Sequence, residues 1–121
     1  VVGRAARVSR AVLRSRGGDP SGAWQDLATL GTQGPVLAGE WLARAAVALA
    51  AGAFDAAADA LEAFARQQGG APTHDVYFFL LGACYLARGQ RAEARAVLRR
   101  GVDACPTSWP LLANYAYVLL E

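Results

Sequence analysis

The sequence predicts an all-α domain. Helical periodicity runs almost unbroken through the 121 residues, and the alternation of apolar and polar residues that marks a half-buried strand is absent. Short segments rich in glycine and proline interrupt the periodicity: RGGDPSG, LGTQGP, AAGAF, QQGGAPT, ARGQ and CPTSWP. The helices between them are about four turns long, near the average for globular proteins. We therefore expect about seven helices joined by short turns.

Candidate capping residues lie at the expected helix ends. They are Asp19 before Pro20, Thr73 or Asp75 before a helix that begins near Val76, and Ser108 before the last helix. Gly52 and Gly89 fit the position just after a helix, where the chain turns through a left-handed backbone conformation that favours glycine.

The composition is that of an ordered globular chain. Hydrophobic residues make up 55% of the sequence and charged residues 18%. A net charge of +2 is too small to indicate nucleic-acid binding, and no apolar run approaches the roughly 20 residues that span a membrane. All 12 basic residues are arginine, which indicates a GC-rich, bacterial genome. Because the sequence contains no methionine, we expect it to be a fragment of a longer protein.

An internal repeat becomes visible when the turn glycines are aligned. Gly18, Gly52 and Gly89 are separated by 34 and 37 residues (18 to 52, and 52 to 89). An alanine lies five residues after each glycine and a leucine nine residues after each: Ala23, Ala57 and Ala94, then Leu27, Leu61 and Leu98. A period of this length in a helical chain indicates stacked helix pairs.

The third unit resembles the tetratricopeptide repeat family, whose pattern is W-x2-L-G-x2-Y, then A-x3-F, then P. The matching residues are Phe78, Leu81, Gly82, Tyr85, Gly89, Ala94, Leu98 and Pro106. The resemblance implies one domain over residues 1–121, in which antiparallel helices A and B of each repeat stack into a right-handed superhelix. It places repeats at 4–37, 38–71 and 75–108, and a partial repeat at 109–121.

The family pattern accounts for Gly82, which lies inside an apolar helix where alanine would be about 1 kcal/mol more favourable. A small residue at this position lets helices A and B approach closely. The second repeat departs from the pattern, since Arg44 stands in the leucine position and Ala48 in the tyrosine position. An apolar last helix, with Leu112, Tyr115 and Leu119 in the helix A positions, lacks a helix B and is a candidate for self-association.

The first helix fits the repeat poorly. A strict offset of 34 residues would bury Arg7, Arg10 and Arg14 without partners, which is energetically implausible. We expect a rotated helix in which the arginines face solvent and four apolar residues face inward: Ala5, Val8, Ala11 and Val12.

No pattern in the sequence indicates an enzyme, a metal site or a cofactor. His74 is expected to be an exposed cap residue at a helix start. Glu40–Arg44 and Glu62–Arg66 are expected to be ordinary surface pairs four residues apart. Cys84 and Cys105 should stay unbonded because the antiparallel helix pair places them about 12 Å apart along the axis. The compartment stays open, with the cytoplasm slightly favoured over the periplasm.

The resemblance implies instead a protein-binding groove lined by the A helices. Carried over position by position, the groove residues are Leu42, Ala46, Leu49, Val76, Phe79, Ala83, Leu86, Ala113 and Tyr117, with Val8, Val12 or Arg16 from the first helix. An apolar groove suits a peptide or helix of a partner protein. The lysine and asparagine with which family members clamp a terminal carboxylate are missing from these positions. Self-association is the alternative, whereas nucleic-acid binding and membrane insertion are not expected.

Overall fold

The computed structural model describes residues 3–31, 37–70 and 72–120. All regular structure in these ranges is α-helical, as the periodicity predicted. The seven helices are α1 (Arg4–Arg16), α2 (Pro20–Leu30), α3 (Ala38–Ala50), α4 (Phe54–Gln67), α5 (Asp75–Ala87), α6 (Arg91–Ala104) and α7 (Trp109–Leu120). None of these described helices is both long and apolar enough to cross a membrane.

The helices pack as consecutive pairs, because α1 lies against α2, α3 against α4 and α5 against α6. Each odd-numbered helix also contacts the next odd-numbered one, and each even-numbered helix contacts the odd-numbered helix that follows it. The pairs are therefore stacked side by side, and α7 packs against both α5 and α6. The odd-numbered helices form one layer of this stack.

The repeated alanines and leucines of the even-numbered helices fill equivalent places in the core. Each of them is at most 1% exposed: Ala23, Ala57, Ala94, Leu27, Leu61 and Leu98. This confirms that the period seen in the sequence is a structural period. Gly82 of α5 faces one of these leucines, because a Cβ atom at Gly82 would lie 2.6 Å from Leu98 Cδ2. Helices α5 and α6 thus approach as closely as the small residue was predicted to allow.

The turns between paired helices use glycine as predicted. Gly52 and Gly89 have φ angles of 80° and 76°, a region that L-residues with a side chain rarely adopt. The residue after each glycine donates its N–H back into the preceding helix: Ala53 to Ala48 O at 2.8 Å, and Gln90 to Tyr85 O at 2.9 Å. These bonds satisfy carbonyl groups that the helix end would leave unpaired.

The helix starts match the prediction in part. Asp19 caps α2, since its Oδ1 accepts the Gly22 N–H at 3.0 Å. The N-cap of α5 is neither Thr73 nor Asp75 but His74, which was expected to be a cap residue: its Nδ1 accepts the Val76 N–H at 3.2 Å. Asp75 is already helical, and its Oδ1 accepts the same N–H at 2.9 Å. An unprotonated ring nitrogen can accept this bond as a carboxylate would. Ser108 precedes α7, but its hydroxyl donates to Asp75 Oδ2 at 3.3 Å and so ties α7 to α5.

The rotation expected for α1 is largely confirmed. Val8 and Ala11 are buried and Val12 is half-buried, while Arg7, Arg10 and Arg14 are exposed. The prediction was wrong for Ala5, which is exposed because it faces a surface cleft rather than the core.

A candidate binding surface on the odd-numbered helices

The nine residues predicted to line a groove lie on α3, α5 and α7, which contact one another in that order. Four of them are half-buried and pack against the central core: Leu42, Leu49, Phe79 and Leu86. Ala83 is half-buried as well, and the other four are exposed: Ala46, Val76, Ala113 and Tyr117. These side chains therefore differ in exposure, and their joint role as a groove stays a prediction.

A cleft of about 390 Å³ lies between α1 and α3. Its walls are largely apolar or small, and its lining is Arg4, Ala5, Val8, Ser9, Val12, Leu37, Gly39, Glu40 and Ala43. Since the helical residues among these come from α1 and α3, the cleft belongs to the layer of odd-numbered helices.

Only two of the residues that line this cleft were predicted from the sequence to lie on a binding surface. Val8 and Val12 line it, whereas Arg16, the third candidate from the first helix, does not. The missed residues include two pairs of small side chains separated by 34 residues, Ala5 with Gly39 and Ser9 with Ala43. Small residues at matching repeat positions of neighbouring helices were the available signal.

A buried ion-pair network stands at one edge of the cleft. Glu40 is 8% exposed and Arg44 is 4% exposed, so the expectation of an ordinary surface pair was wrong. Glu40 Oε2 accepts Arg44 Nε–H at 2.9 Å, and Glu40 Oε1 accepts Arg4 Nε–H at 2.6 Å. Arg4, which comes from α1, covers the pair and removes it from solvent. The Glu62–Arg66 pair of α4, by contrast, is exposed as predicted.

The two guanidinium groups also complete the C-terminal end of α2. Arg44 Nη1 donates to Leu27 O at 3.1 Å, and both Arg4 and Arg44 donate to Gly31 O. Helix α2 has no basic residue in its own last turn. Cations near a helix C-terminus interact favourably with its carbonyl groups. This explains why an arginine replaces the leucine expected at position 44.

The network keeps Glu40 ionised. Burial alone would raise the pKa of the Glu40 carboxyl, but the hydrogen bonds from Arg4 and Arg44 outweigh it and hold that pKa below its ordinary value. One carboxylate between two guanidinium groups leaves the cluster with a net positive charge.

Comparison with known protein families identifies the C-terminal part of the chain. Residues 75–118 match the tetratricopeptide repeat. The chain is therefore similar to the tetratricopeptide repeat family over these 44 of its 121 residues. No curated protein and no solved structure matches the chain.

The matched tetratricopeptide repeat contains α5, α6 and most of α7. Its signature residues Phe78, Gly82, Ala94 and Leu98 are buried at the contact between α5 and α6. The similarity to tetratricopeptide repeats suggests a protein–protein interaction module.

His74, Cys84 and Cys105 carry the side chains that could react or bind a metal, and their surroundings are as the sequence predicted. His74 is exposed at the start of α5, as expected. Both cysteines are free, as predicted, since Cys84 Sγ donates to Phe54 O at 3.5 Å and Cys105 Sγ donates to Thr73 O at 3.1 Å. Each thiol is thus directed toward a carbonyl group rather than toward the other.

Proposed function

We propose that this chain is a non-catalytic protein–protein interaction module, serving as a scaffold, an assembly factor or a chaperone module. The proposed site is an apolar groove on the odd-numbered helices that takes a peptide or a helix of a partner. The observation that carries the proposal is the mixed exposure of the nine candidate groove residues. Leu42, Phe79 and Leu86 pack into the core and would give the groove a fixed floor, and the exposed residues would give it an accessible rim.

The neighbouring cleft between α1 and α3 supports the same interpretation. It provides about 390 Å³ for an apolar side chain, in the layer of helices that carries the candidate groove. A partner segment that lies across α1, α3 and α5 could anchor one side chain there and make further apolar contacts along α3 and α5. Such anchors, rather than total contact area, carry most of the affinity of a protein interface.

The test uses substitutions at exposed alanines, because these should leave the fold intact. Ala46→Arg on α3 and Ala113→Arg on α7 place a long charged side chain on the proposed groove. Ala28→Arg is the matched control, since Ala28 is an equally exposed alanine on the even-numbered helix α2. Circular dichroism first verifies that all three variants are as helical as the parent.

A partner is then captured from the source organism's lysate, and its binding to the purified variants is measured by calorimetry. The proposal expects both groove variants to lose at least about tenfold in affinity, equivalent to about 1.4 kcal/mol, while Ala28→Arg binds as the parent does. Equal binding by the groove variants and the control would show that the partner uses another surface.

Self-association through Leu112, Tyr115 and Leu119 is the second candidate. One observation favours it: Leu112 is 36% exposed and Leu119 52% exposed, so α7 presents an apolar face. The test is the molar mass in solution by light scattering over a wide range of concentration. A mass that rises toward the dimer, and returns to the monomer in Leu119→Arg, would establish this candidate in place of the first.

A further inference from the structure

A surface cleft between α4 and α5 provides a template for a second groove. Its accessible walls are formed by Ala58 and Glu62 of α4 and by Leu81 and Tyr85 of α5. Beneath them lie Leu61 and Cys84, which are both 1% exposed. The cleft therefore runs between an even-numbered helix and the odd-numbered helix that follows it.

The structural period predicts an equivalent groove between α6 and α7. The offset from α4 to α6 is 37 residues, from Gly52 to Gly89, and the offset from α5 to α7 is 34 residues. The accessible walls then become Arg95 and Arg99 of α6 and Tyr115 and Leu119 of α7, with Leu98 and Val118 beneath. Burial agrees with this equivalence, since Leu98 and Val118 are 0% and 5% exposed.

The α6–α7 groove, defined by Arg95, Arg99, Tyr115 and Leu119, carries positive charge that no described residue neutralises through an ion pair. Arg4, Arg14, Arg44, Arg66 and Arg88 each form an ion pair with a described carboxylate. Arg95 and Arg99 are exposed and form no ion pair with a described residue. The position equivalent to Arg99 on α4 is Glu62, which is paired with Arg66.

The spacing of these arginines is unfavourable for the isolated chain. Arg95 and Arg99 are four residues apart on α6, a spacing at which like charges destabilise a helix. A partner's carboxylate placed opposite Arg95 and Arg99 would add attraction that offsets the repulsion between the two arginines. The side of the groove formed by α7 is apolar instead, with Leu119 52% exposed beside Tyr115.

We propose that the α6–α7 groove binds an amphipathic, acidic helix of a partner protein. The partner's apolar side chains would pack on α7, and its Asp or Glu side chains would face Arg95 and Arg99. A groove bounded by two helices runs along their axes, which suits a helix as the occupant. The apolar side favours a protein over a nucleic acid, because phosphate contacts alone would leave Leu119 uncovered.

Charge argues against a second copy of this chain as the occupant. Two copies joined symmetrically would bring their α6 arginines together. The acidic helix of the chain, α4, already has its apolar residues Ala57, Leu61 and Phe64 buried. It therefore has no apolar face to offer to another copy.

The test selects binders from a display library of peptides of about 15–20 residues, a length at which helices become stable on binding. The library is panned on the wild-type chain, on Arg95→Glu/Arg99→Glu and on the matched control Arg7→Glu/Arg10→Glu. We expect the wild type and the control to enrich peptides in which an apolar stripe is flanked by Asp and Glu. These peptides should bind Arg95→Glu/Arg99→Glu at least about tenfold more weakly, as expected for unlike charges replaced by like charges.

Binding at this groove is separable from binding at the groove proposed above. Leu119→Arg should abolish binding of the acidic peptides, whereas Ala46→Arg should leave it unchanged. The proposal is overturned if the enriched peptides lack acidic residues, if none is enriched, or if both charge reversals weaken binding equally. It is overturned as well if the wild type is a dimer that Leu119→Arg dissociates. Where the natural polypeptide extends past residue 121, failure of that longer chain to bind the selected peptides would assign the groove to its own next helix.

Discussion

A Cβ atom on Gly101 of α6 would lie 2.7 Å from the Cβ of Phe78 on α5, closer than Cβ atoms approach other atoms in real structures. It would also lie 3.2 Å from Leu111 Cδ1 of α7. Gly101 is therefore the point at which three helices meet. Gly82 has a similar place on the opposite helix, but the atom it faces is a terminal methyl group of Leu98.

We expect Gly101→Ala to destabilise the fold by about 1–3 kcal/mol, the usual cost of overpacking. Gly82→Ala should lower the free energy of unfolding by less than Gly101→Ala does. Leu98 can move its methyl group by rotating its side chain, whereas the Cβ of Phe78 moves only with the backbone of α5. The gain in helix propensity, about 1 kcal/mol, offsets part of the loss at both positions. Urea unfolding followed by circular dichroism measures the free energy of unfolding of each variant.

Gly39→Ala is the control for both substitutions. Gly39 is also helical, but no atom lies within 4 Å of a Cβ built there. This substitution should stabilise the chain by about 0.4–1 kcal/mol, because alanine restricts the unfolded state without a clash. If all three alanine variants changed stability by the same amount and in the same direction, the close approach of α5 and α6 would not be the reason for the glycines.

Of the two glycines at the contact between α5 and α6, Gly82 could be predicted from the sequence and Gly101 could not. Gly82 was predicted to be a contact residue because it occupies a signature position of a repeat. Gly101 occupies no such position, and its role depends on Phe78 and Leu111, which are distant in sequence. Gly52 and Gly89 were predictable for a different reason, since a left-handed turn conformation is a local requirement.

The spacing in the sequence does not reveal whether a Glu–Arg pair four residues apart is buried or exposed. Glu40–Arg44 and Glu62–Arg66 have the same residue types four positions apart, and only the first is buried. The difference arises from Arg4, which lies 36 residues from Glu40 and covers the pair. The cleft between α1 and α3 was missed for the same reason, because it depended on how far α1 was rotated.

Replacing Glu40 by glutamine should destabilise the chain by about 3–5 kcal/mol, because Arg44 would remain buried without a counter-charge. Glu62→Gln is the matched control on α4. It removes an exposed partner at the same spacing and should change stability by at most about 1 kcal/mol. Thermal and urea unfolding of both variants at neutral pH provide the comparison. A loss of stability as small in Glu40→Gln as in Glu62→Gln would mean that the network contributes little.

Acid should weaken the same network. The folded-state pKa of Glu40 lies below its ordinary value, so the stabilisation is complete above the unfolded pKa of about 4.3 and is lost as the pH falls through the folded value. The stability difference between the parent and Glu40→Gln should therefore be largest near neutral pH and shrink below about pH 4. Asp19 will retain some pH dependence in both proteins, because the Gly22 N–H and Arg14 lower its pKa as well. A difference that is constant from neutral to acid pH would contradict this account.

The two cysteines should differ in reactivity in the folded chain. Cys84 is 1% exposed, and its burial raises the pKa of the thiol, so both access and thiolate population are low. Cys105 lies at the end of α6 and is half-buried, so a thiol reagent should modify it first. The variants Cys84→Ser and Cys105→Ser assign the fast and slow phases of a titration without reductant. Under denaturing conditions both thiols should react at similar rates. A fast phase that survives in Cys105→Ser would show that α5 and α6 open readily, and an absence of titratable thiols after denaturation would show that the two cysteines are bonded.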